Sequence, residues 1–371
     1  MMSARFLTVV LERAFNMRDG FGREIDYMRI SVIDSCNLNC YYCNPCDNNE
    51  HCHALNILSV KEVLCIVRAA TRLGIKHFRL TGGEPLLHPQ LDEMVLQIKK
   101  IPGVSSVSLT TNAVLLAQHA KWLKEAGIDS INVSLDTIDA SEYERITKKP
   151  LLEEVKHGIN AAIECGIRVK INVVLTPQTD VVALTRYVAK KGTDIRFIEM
   201  MPVGEGHTNG VEPYKKVIGT LSKLYGEPCR INTEKTKEIN SGNDKRKIPD
   251  NGPAEYYIFP ELGIRVGLIQ AIHGKFCDTC NRIRVTADGR LMPCLGSSVT
   301  MDLVPDSWDF ADDVEKDFAI VRALRAAIKA KPRCHNFNDN AVTYTKTTET
   351  KTTKIEAAEV NAARNMSRIG G

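Results

Sequence analysis

Nowhere in the 371 residues does an apolar run approach the ~18 residues that cross a bilayer. The N-terminal apolar stretch at 6–11 is shorter than the ~7–15 residues of a signal-peptide core, and no small-residue cleavage pattern follows it. These absences argue against a secreted or membrane protein, and a cytoplasmic one is expected. An excess of charge is missing too. Lys and Arg number 49 against 45 Asp and Glu, a net charge of +4, which is too even for bulk binding of nucleic acid or anionic membrane. With 12 cysteines the chain is too poor in them for a disulfide scaffold of this length. What is present is ordinary for a globular protein: 43% apolar and 25% charged residues, enough for a real core. The length suits a barrel of roughly 250 residues with an appendage.

The cysteines are grouped. Cys36, Cys40 and Cys43 form one close set, and Cys277, Cys280 and Cys294 a second. In a reducing compartment such sets are metal or cluster ligands rather than bridges. Cys65, Cys165, Cys229 and Cys334 stand alone and are expected to be buried structural thiols. Cys46 and Cys52 flank a loop near the first set; they are taken as loop thiols, with spare ligation as the alternative.

From residue 24 short β-branched runs alternate with helix-like stretches. Strands are predicted at 28–33, 77–81, 104–110, 130–135, 167–175 and 195–199, with amphipathic stretches between them. Gly74, Gly127 and Gly166 follow helical stretches where a left-handed cap is wanted. This spacing is that of βαβ units, so a parallel sheet with right-handed crossovers follows. Six units make a partial barrel or an open sheet, and in either the chemistry belongs in loops after the strands. Beyond residue 210 the pattern changes to an antiparallel pair at 256–259 and 263–268. A hairpin at 282–287 and 290–292 turns over Asp288-Gly289, and a helix at 314–331 is stopped by Pro332. The stretch 338–359 is rich in Thr, Lys and Glu and is expected to be a mobile tail. The resulting division is an N-terminal extension at 1–20, a barrel at 21–210, an α+β region at 211–337 and a flexible tail at 338–371.

Cys36-Asn37-Leu38-Asn39-Cys40-Tyr41-Tyr42-Cys43 directly follows the first predicted strand. Three thiolates on one short loop take three corners of a cubane cluster and leave the fourth iron open to a substrate or cofactor. The competing reading is a zinc site completed by His51 or His53, although zinc ligands usually come as two separate close pairs. The second strand ends in Arg79-Leu80-Thr81-Gly82-Gly83-Glu84-Pro85. Its two glycines are expected to let backbone approach a ligand, and Glu84 offers a carboxylate at a strand end.

With these two motifs the chain resembles the radical S-adenosylmethionine (SAM) superfamily. The resemblance implies an α/β fold, a partial (β/α)6 TIM-like barrel, with a [4Fe–4S] cluster on Cys36, Cys40 and Cys43. It implies that SAM chelates the open iron and is cleaved, after one-electron reduction, to methionine and a 5′-deoxyadenosyl radical that abstracts substrate hydrogen. Implied SAM contacts are Tyr42, lying against the adenine, with Gly83, Glu84, Ser134 and Met201.

The second set has C-x2-C-x13-C spacing, again with three thiols. It is taken as a second [4Fe–4S] cluster with an open iron facing the substrate, the alternative being a zinc site closed by Cys334 or His335. Arg282 and Arg284 lie two apart on a predicted strand and so face the same way. Arg29, Arg79, Lys170 and Arg196 sit on barrel strands. That much positive charge in a nearly neutral protein suggests a polyanion such as a triphosphate.

Phe21-Gly22-Arg23, Asp34-Ser35-Cys36-Asn37, Leu109-Thr110-Thr111-Asn112, the run 195–204, Cys280-Asn281-Arg282-Ile283-Arg284 and the terminal Gly370-Gly371 narrow the resemblance to the GTP 3′,8-cyclase family, which opens molybdenum cofactor biosynthesis. The resemblance implies GTP contacts from Arg29, Arg79, Thr110, Lys170, Arg196, Arg282, Ile283 and Arg284, with guanine meeting the second cluster. It implies catalytic roles for Arg282, Arg284, Gly370 and Gly371, a C-terminal region that closes the barrel, and a tail that threads into the chamber. The radical takes the ribose 3′ hydrogen and C3′ adds to C8, giving (8S)-3′,8-cyclo-7,8-dihydroguanosine 5′-triphosphate. Implied partners are a low-potential electron donor of flavodoxin or ferredoxin type and the downstream cyclic pyranopterin monophosphate synthase, with no nucleic-acid polymer and no membrane. The chain is expected to be a monomer or homodimer. Ala113 and Ser35 depart from the family pattern, which has Gly and Arg there. The alternatives are a peptide-modifying radical SAM enzyme with an auxiliary cluster, and a non-catalytic iron or zinc sensor.

Overall fold

The computed structural model describes residues 17–43, 56–203, 210–231, 252–297, 299–303, 313–335, 337, 345–348 and 351–354. In chain order the elements are β1 (Tyr27–Ser31), α1 (Val60–Arg72), β2 (His77–Thr81), α2 (Leu91–Lys99), β3 (Ser106–Thr111), α3 (Leu116–Glu125), β4 (Ser130–Ser134), α4 (Ala140–Thr147), α5 (Leu152–Glu164) and β5 (Val169–Val174). There follow α6 (Val181–Lys190), β6 (Asp194–Ile198), α7 (Gly219–Tyr225), β7 (Cys229–Ile231), β8 (Glu255–Ile258), β9 (Arg265–Ile269), β10 (Arg282–Val285), β11 (Arg290–Met292), β12 (Met301–Asp302), α8 (Asp313–Lys329), β13 (Thr345–Thr348) and β14 (Lys351–Lys354).

Local chemistry accounts for the helices. The Ser59 hydroxyl accepts the Glu62 N–H at 3.3 Å and the Glu62 carboxylate accepts the Ser59 N–H at 2.7 Å, so both orphan donors at the start of α1 are satisfied. Val63, Ile66, Val67 and Ala70 recur at three and four residues and form its buried stripe. Gly74 then ends the turn at φ +86°, as Gly127 does after α3 and Gly166 after α5.

The chain divides into two units. The first comprises Met1–Ser35, Cys52–Ser108 and Cys280–Gly371. Its strands run in the order β12-β11-β10-β1-β2 and on into the start of β3. β10, β1 and β2 are parallel, while β11 and β12 add antiparallel. Helix α8 joins α1 through Arg72 and Asp317 at 2.8 Å. The second unit comprises Cys36–His51 and Leu109–Thr279. It takes the end of β3 and continues β4-β5-β6-β9-β8-β7, parallel from β4 through β9 and antiparallel thereafter. The strand order has two ends, β12 and β7, so the parallel series does not close.

Four differences from the sequence expectations have physical causes. β9 and β10, expected only as parts of hairpins, also pair in parallel with β6 and β1; pairing between residues 27 and 282 leaves no local periodicity to read. Cys65 is buried as expected, whereas Cys229 and Cys334 are exposed, the first on the edge strand β7 and the second in the turn after α8. Ala113 adopts φ +65°, the left-handed conformation for which glycine is the usual residue. Within the stretch expected as a mobile tail, β13 and β14 pair as an antiparallel hairpin. Among the described residues no helix is long and apolar enough to cross a membrane.

Candidate active site

Past β1 the chain runs on through Ile33 and Ser35 beside the end of β2 and then into the first cysteine set. The Gly83 N–H donates to the Ile33 carbonyl and the Glu84 N–H to the Ser35 carbonyl, both at 2.8 Å. A Cβ on Gly82 would lie 2.3 Å from the Ile33 oxygen, and one on Gly83 would lie 2.2 Å from the Ser35 oxygen. Both glycines thus admit the protein's own backbone, and they seat the segment that leads into Cys36. Glu84 is fully buried and its carboxylate accepts the Leu86 N–H at 3.0 Å, capping the turn Pro85–Leu87.

The cysteine loop, in the second unit, is moored on the end of α4. The N–H groups of Asn39 and Tyr41 donate to the carbonyls of Thr147 and Ile146 at 3.0 and 3.1 Å, using acceptors that a helix C-terminus leaves unsatisfied. Asn112, just past β3, donates to Asn37 Oδ1 at 2.7 Å and reaches Cys36 Sγ at 3.8 Å. The Tyr42 hydroxyl donates to Asp136 Oδ2 at 2.5 Å, and the Val174 N–H donates to Asp136 Oδ1 at 2.8 Å. Burial raises the Asp136 carboxyl to about 6; burial beside Asp136 pushes the Tyr42 phenol well above its ordinary value. Ser134 is exposed at the end of β4 and Met201 is half-buried.

Burial, with Cys36 and Asp136 nearby, pushes the Cys43 thiol up to about 12, and burial with Cys43 pushes Cys40 up as well. Cys40 and Cys43 thus sit where a bare thiolate is costly, a cost that the positive charge of irons bound to them would offset. Among the described residues no three His, Cys, Asp or Glu side chains converge on a single-ion site. His51, His53, Cys46 and Cys52 lie outside the described residues, as do Gly370 and Gly371.

The first unit carries a cationic face. Parallel register sets Arg282, Tyr27 and His77 abreast on β10, β1 and β2, and one step on it sets Arg284, Arg29 and Arg79 abreast. In-register neighbours on parallel strands share a face, with strands ~4.8 Å apart. The Tyr27 hydroxyl accepts from Arg79 Nε. Burial, then Arg284, drives Arg29 well below its ordinary value; burial and Arg282 bring Arg284 down to about 10. Burial alone would raise the Tyr27 phenol, but Arg79 and Arg29 outweigh it and lower it. Such a face is a standing electrostatic cost that a polyanion relieves. Ile283 is fully buried and alternates to the opposite face, so its side chain takes no part.

In the second unit Lys170 and Arg196 are buried on β5 and β6, and Thr110 is half-buried on β3. Arg196 Nε donates to Asn172 Oδ1 at 2.9 Å while its Nη2 is buried without a hydrogen-bond partner among the described residues. An orphaned guanidinium N–H of this kind is where a bound acceptor belongs. Gly267, opposite Arg196 in register, leaves room for it, since a Cβ there would lie 2.8 Å from Arg196 Cγ. Glu199 Oε2 accepts the N–H groups of Ile272 and His273 at 2.7 and 3.1 Å, and its Oε1 pairs with His273 Nδ1.

Of the second cysteine set, Cys280 and Cys294 lie in the first unit, and Cys277 opens the turn Cys277–Thr279 in the second. Burial would raise the Cys280 thiol, yet Arg282 and Lys331 bring it below its ordinary value. This cationic setting favours thiolate and also fits a cluster. Sequence reasoning gave no role to Tyr27, Asp136, Glu199, His273 or Lys331. Only Tyr27 carried a signal, standing two before Arg29 as Arg282 stands two before Arg284.

Residues 30–183 match the radical SAM superfamily, and residues 193–337 match the Molybdenum Cofactor Synthesis C family. The chain is 35% identical over 324 residues to a GTP 3′,8-cyclase of Clostridium perfringens (strain SM101), covering 86% of this chain and 95% of that one. It is 34% identical over 362 residues to a GTP 3′,8-cyclase of Petrotoga mobilis, covering 96% and 100%. Among solved structures, SuiB of Streptococcus suis shares the fold at TM-score 0.54 and 15% identity, over 81% of this chain and 68% of that one. The fold is thus that of a radical SAM protein, an open, partial barrel.

Proposed function

This chain belongs to the GTP 3′,8-cyclase family within the radical SAM superfamily, and from that membership we propose how its residues divide the work. It is a radical SAM enzyme of molybdenum cofactor synthesis that cyclises GTP, with SAM and an iron–sulfur cluster as cofactors. When bound, that cluster and SAM supply a 5′-deoxyadenosyl radical. Cys36, Cys40 and Cys43 hold the cluster, and Tyr42, Gly83, Glu84, Ser134 and Met201 hold SAM. Cys277, Cys280 and Cys294 hold a second [4Fe–4S] cluster. Arg29, Arg79, Thr110, Lys170, Arg196, Arg282 and Arg284, with the Ile283 backbone, hold GTP, and Gly370-Gly371 completes the chamber. The product is (8S)-3′,8-cyclo-7,8-dihydroguanosine 5′-triphosphate. In this reading the chain works in the cytoplasm as a monomer or homodimer, is reduced by a flavodoxin- or ferredoxin-type donor, and passes its product to cyclic pyranopterin monophosphate synthase.

The observation that supports the substrate assignment is the row Arg284, Arg29 and Arg79, abreast on three parallel strands. A row of guanidiniums matches the bidentate acceptors of a triphosphate and has no use with a neutral substrate. The test is anaerobic turnover of reconstituted protein with dithionite, SAM and each nucleoside triphosphate in turn. 5′-Deoxyadenosine is followed by chromatography, and cyclised product is converted to a fluorescent pterin. GTP alone is expected to raise deoxyadenosine and yield the pterin, and removing Gly370-Gly371 is expected to abolish the product. Equal, slow deoxyadenosine formation with every nucleotide would overturn the substrate assignment.

A further inference from the structure

We propose that Lys331 is a positioning residue for the second cysteine set, its buried ammonium holding the backbone just after Cys280 and just before Cys294 and setting the reduction potential of the cluster they carry. The inference rests on the second-cluster reading above.

Lys331 is 2% exposed, just past α8. An ammonium has three donors and is costly to bury unless they find acceptors. Two go to the carbonyls of Arg282 and Pro293, both at 2.8 Å. Arg282 lies two residues after Cys280 and Pro293 directly precedes Cys294, so one side chain fixes the approach to both cysteines. Its positive charge, after that of Arg282, helps bring the Cys280 thiol below its ordinary value.

The lysine is itself held from behind. Arg23 donates from Nη2 to the Pro332 carbonyl at 2.6 Å and from Nη1 to the Arg333 carbonyl at 2.9 Å. Asp19 holds Arg23 through Nε at 2.6 Å and accepts the N–H groups of Phe21 and Arg23 at 2.9 and 3.0 Å. Asp19 and Arg23 are both buried. Gly296 completes the wrap, since a Cβ there would lie 2.6 Å from His335 Cβ. The Phe21-Gly22-Arg23 motif, remote in sequence from the second cysteine set, thus braces the segment directly after the lysine through hydrogen bonds.

A lysine of this kind could be merely structural, filling two carbonyls, or it could act on the metal centre. A buried positive charge bonded to the backbone just after Cys280 and just before Cys294 favours the second. Hydrogen bonds and positive charge at cluster sulfurs favour the reduced, more negative state and so raise the potential.

The test uses the full-length chain, reconstituted with iron and sulfide, as wild type, Lys331→Met, Lys331→Gln and Lys331→Arg. Iron and sulfide content and an electron paramagnetic resonance redox titration are read for each. In the Met and Gln variants the second cluster's midpoint is expected to move negative by a tenfold or greater change in the reduced-to-oxidised ratio, ~59 mV for a one-electron couple. The first cluster's midpoint and its spectral response to SAM are expected to stay at wild-type values, and Lys331→Arg to restore most of the shift. Should the Met variant fail to fold by circular dichroism, the Gln variant, which keeps an amide donor for the carbonyls, carries the comparison. A charge-free variant that holds both clusters with an unchanged second spectrum and midpoint overturns the inference. Wild-type protein with iron for one cluster only overturns the second-cluster reading instead, and removes the premise.

Discussion

The Tyr42 hydroxyl donates to Asp136 Oδ2 at 2.5 Å, tying the cysteine loop to the segment just past β4. The carboxylate also accepts the Val174 N–H, so the phenol is positioned by a group that is itself fixed. Tyr42→Phe leaves a buried acceptor short of a partner, a loss of about 1–3 kcal/mol. The expected result is a raised KM for SAM in deoxyadenosine formation at unchanged iron content. A variant that loses iron but binds SAM normally would show that Tyr42 serves the cluster instead.

Gly83 has no room for a side chain. A methyl there meets the Ser35 carbonyl and carbon at 2.2 and 2.5 Å, both backbone atoms that cannot swing aside. Gly83→Ala is expected to lower stability by about 2 kcal/mol or more and to reduce cluster loading. Gly192→Ala is the comparison, since its φ is +63° and nothing lies within 4 Å of the added carbon. That variant is expected to lose about 1 kcal/mol and keep its iron. Urea midpoints and iron analysis separate the two.

Arg29 is half-buried between like charges on β10 and β2. Replacing it with methionine removes that repulsion. Arg29→Met is expected to raise the melting temperature of the GTP-free protein, an increment of about 1 kcal/mol, while weakening GTP at least tenfold. Thermal melts with and without GTP test both halves together. A variant that is both less stable and weaker in binding would mean the arginine holds the sheet rather than the ligand.

His88 is buried, with Nε2 against the Leu58 carbonyl at 2.9 Å and Nδ1 accepting the Gln90 N–H at 3.1 Å. Only the neutral ring with its proton on Nε2 makes both bonds. Burial accordingly lowers its pKa. A base with a depressed folded-state value stabilises the fold above the unfolded value of ~6.5, and that stability is lost as pH falls through the folded value. Urea midpoints are expected to fall below pH ~6.5 in the wild type and to vary less in His88→Gln. Equal slopes in the two proteins would clear His88 of the effect.

Much of the βα frame was legible because each unit advertises itself locally. The run 77–81 is β2 residue for residue, and Asp288-Gly289 turns the β10–β11 hairpin as expected. The cysteine spacings and the Arg-x-Arg face were legible for the same reason. What escaped depends on contacts between distant residues. Nothing near residue 331 says that its ammonium will meet carbonyls at 282 and 293, and nothing near Gly83 says that it will pack on Ser35. Asp136 lies two residues after Ser134 and has no local pattern that points to Tyr42. Ala113 was noticed as a departure, but its left-handed conformation appears only in the fold, where Gly158 of α5 packs so tightly on it that a Cβ would lie 2.4 Å from the Ala113 oxygen.

The reliance of Cys280 and Cys294 on Lys331 also has a bearing on time. Ribosomes make the chain from its N-terminus, so both thiols are synthesised before the lysine that orders them, and Arg23, which braces that lysine, waits through three hundred residues of synthesis for its partners at Pro332 and Arg333. The second cysteine set is therefore unfinished on the nascent chain long after the first has its own loop and strand.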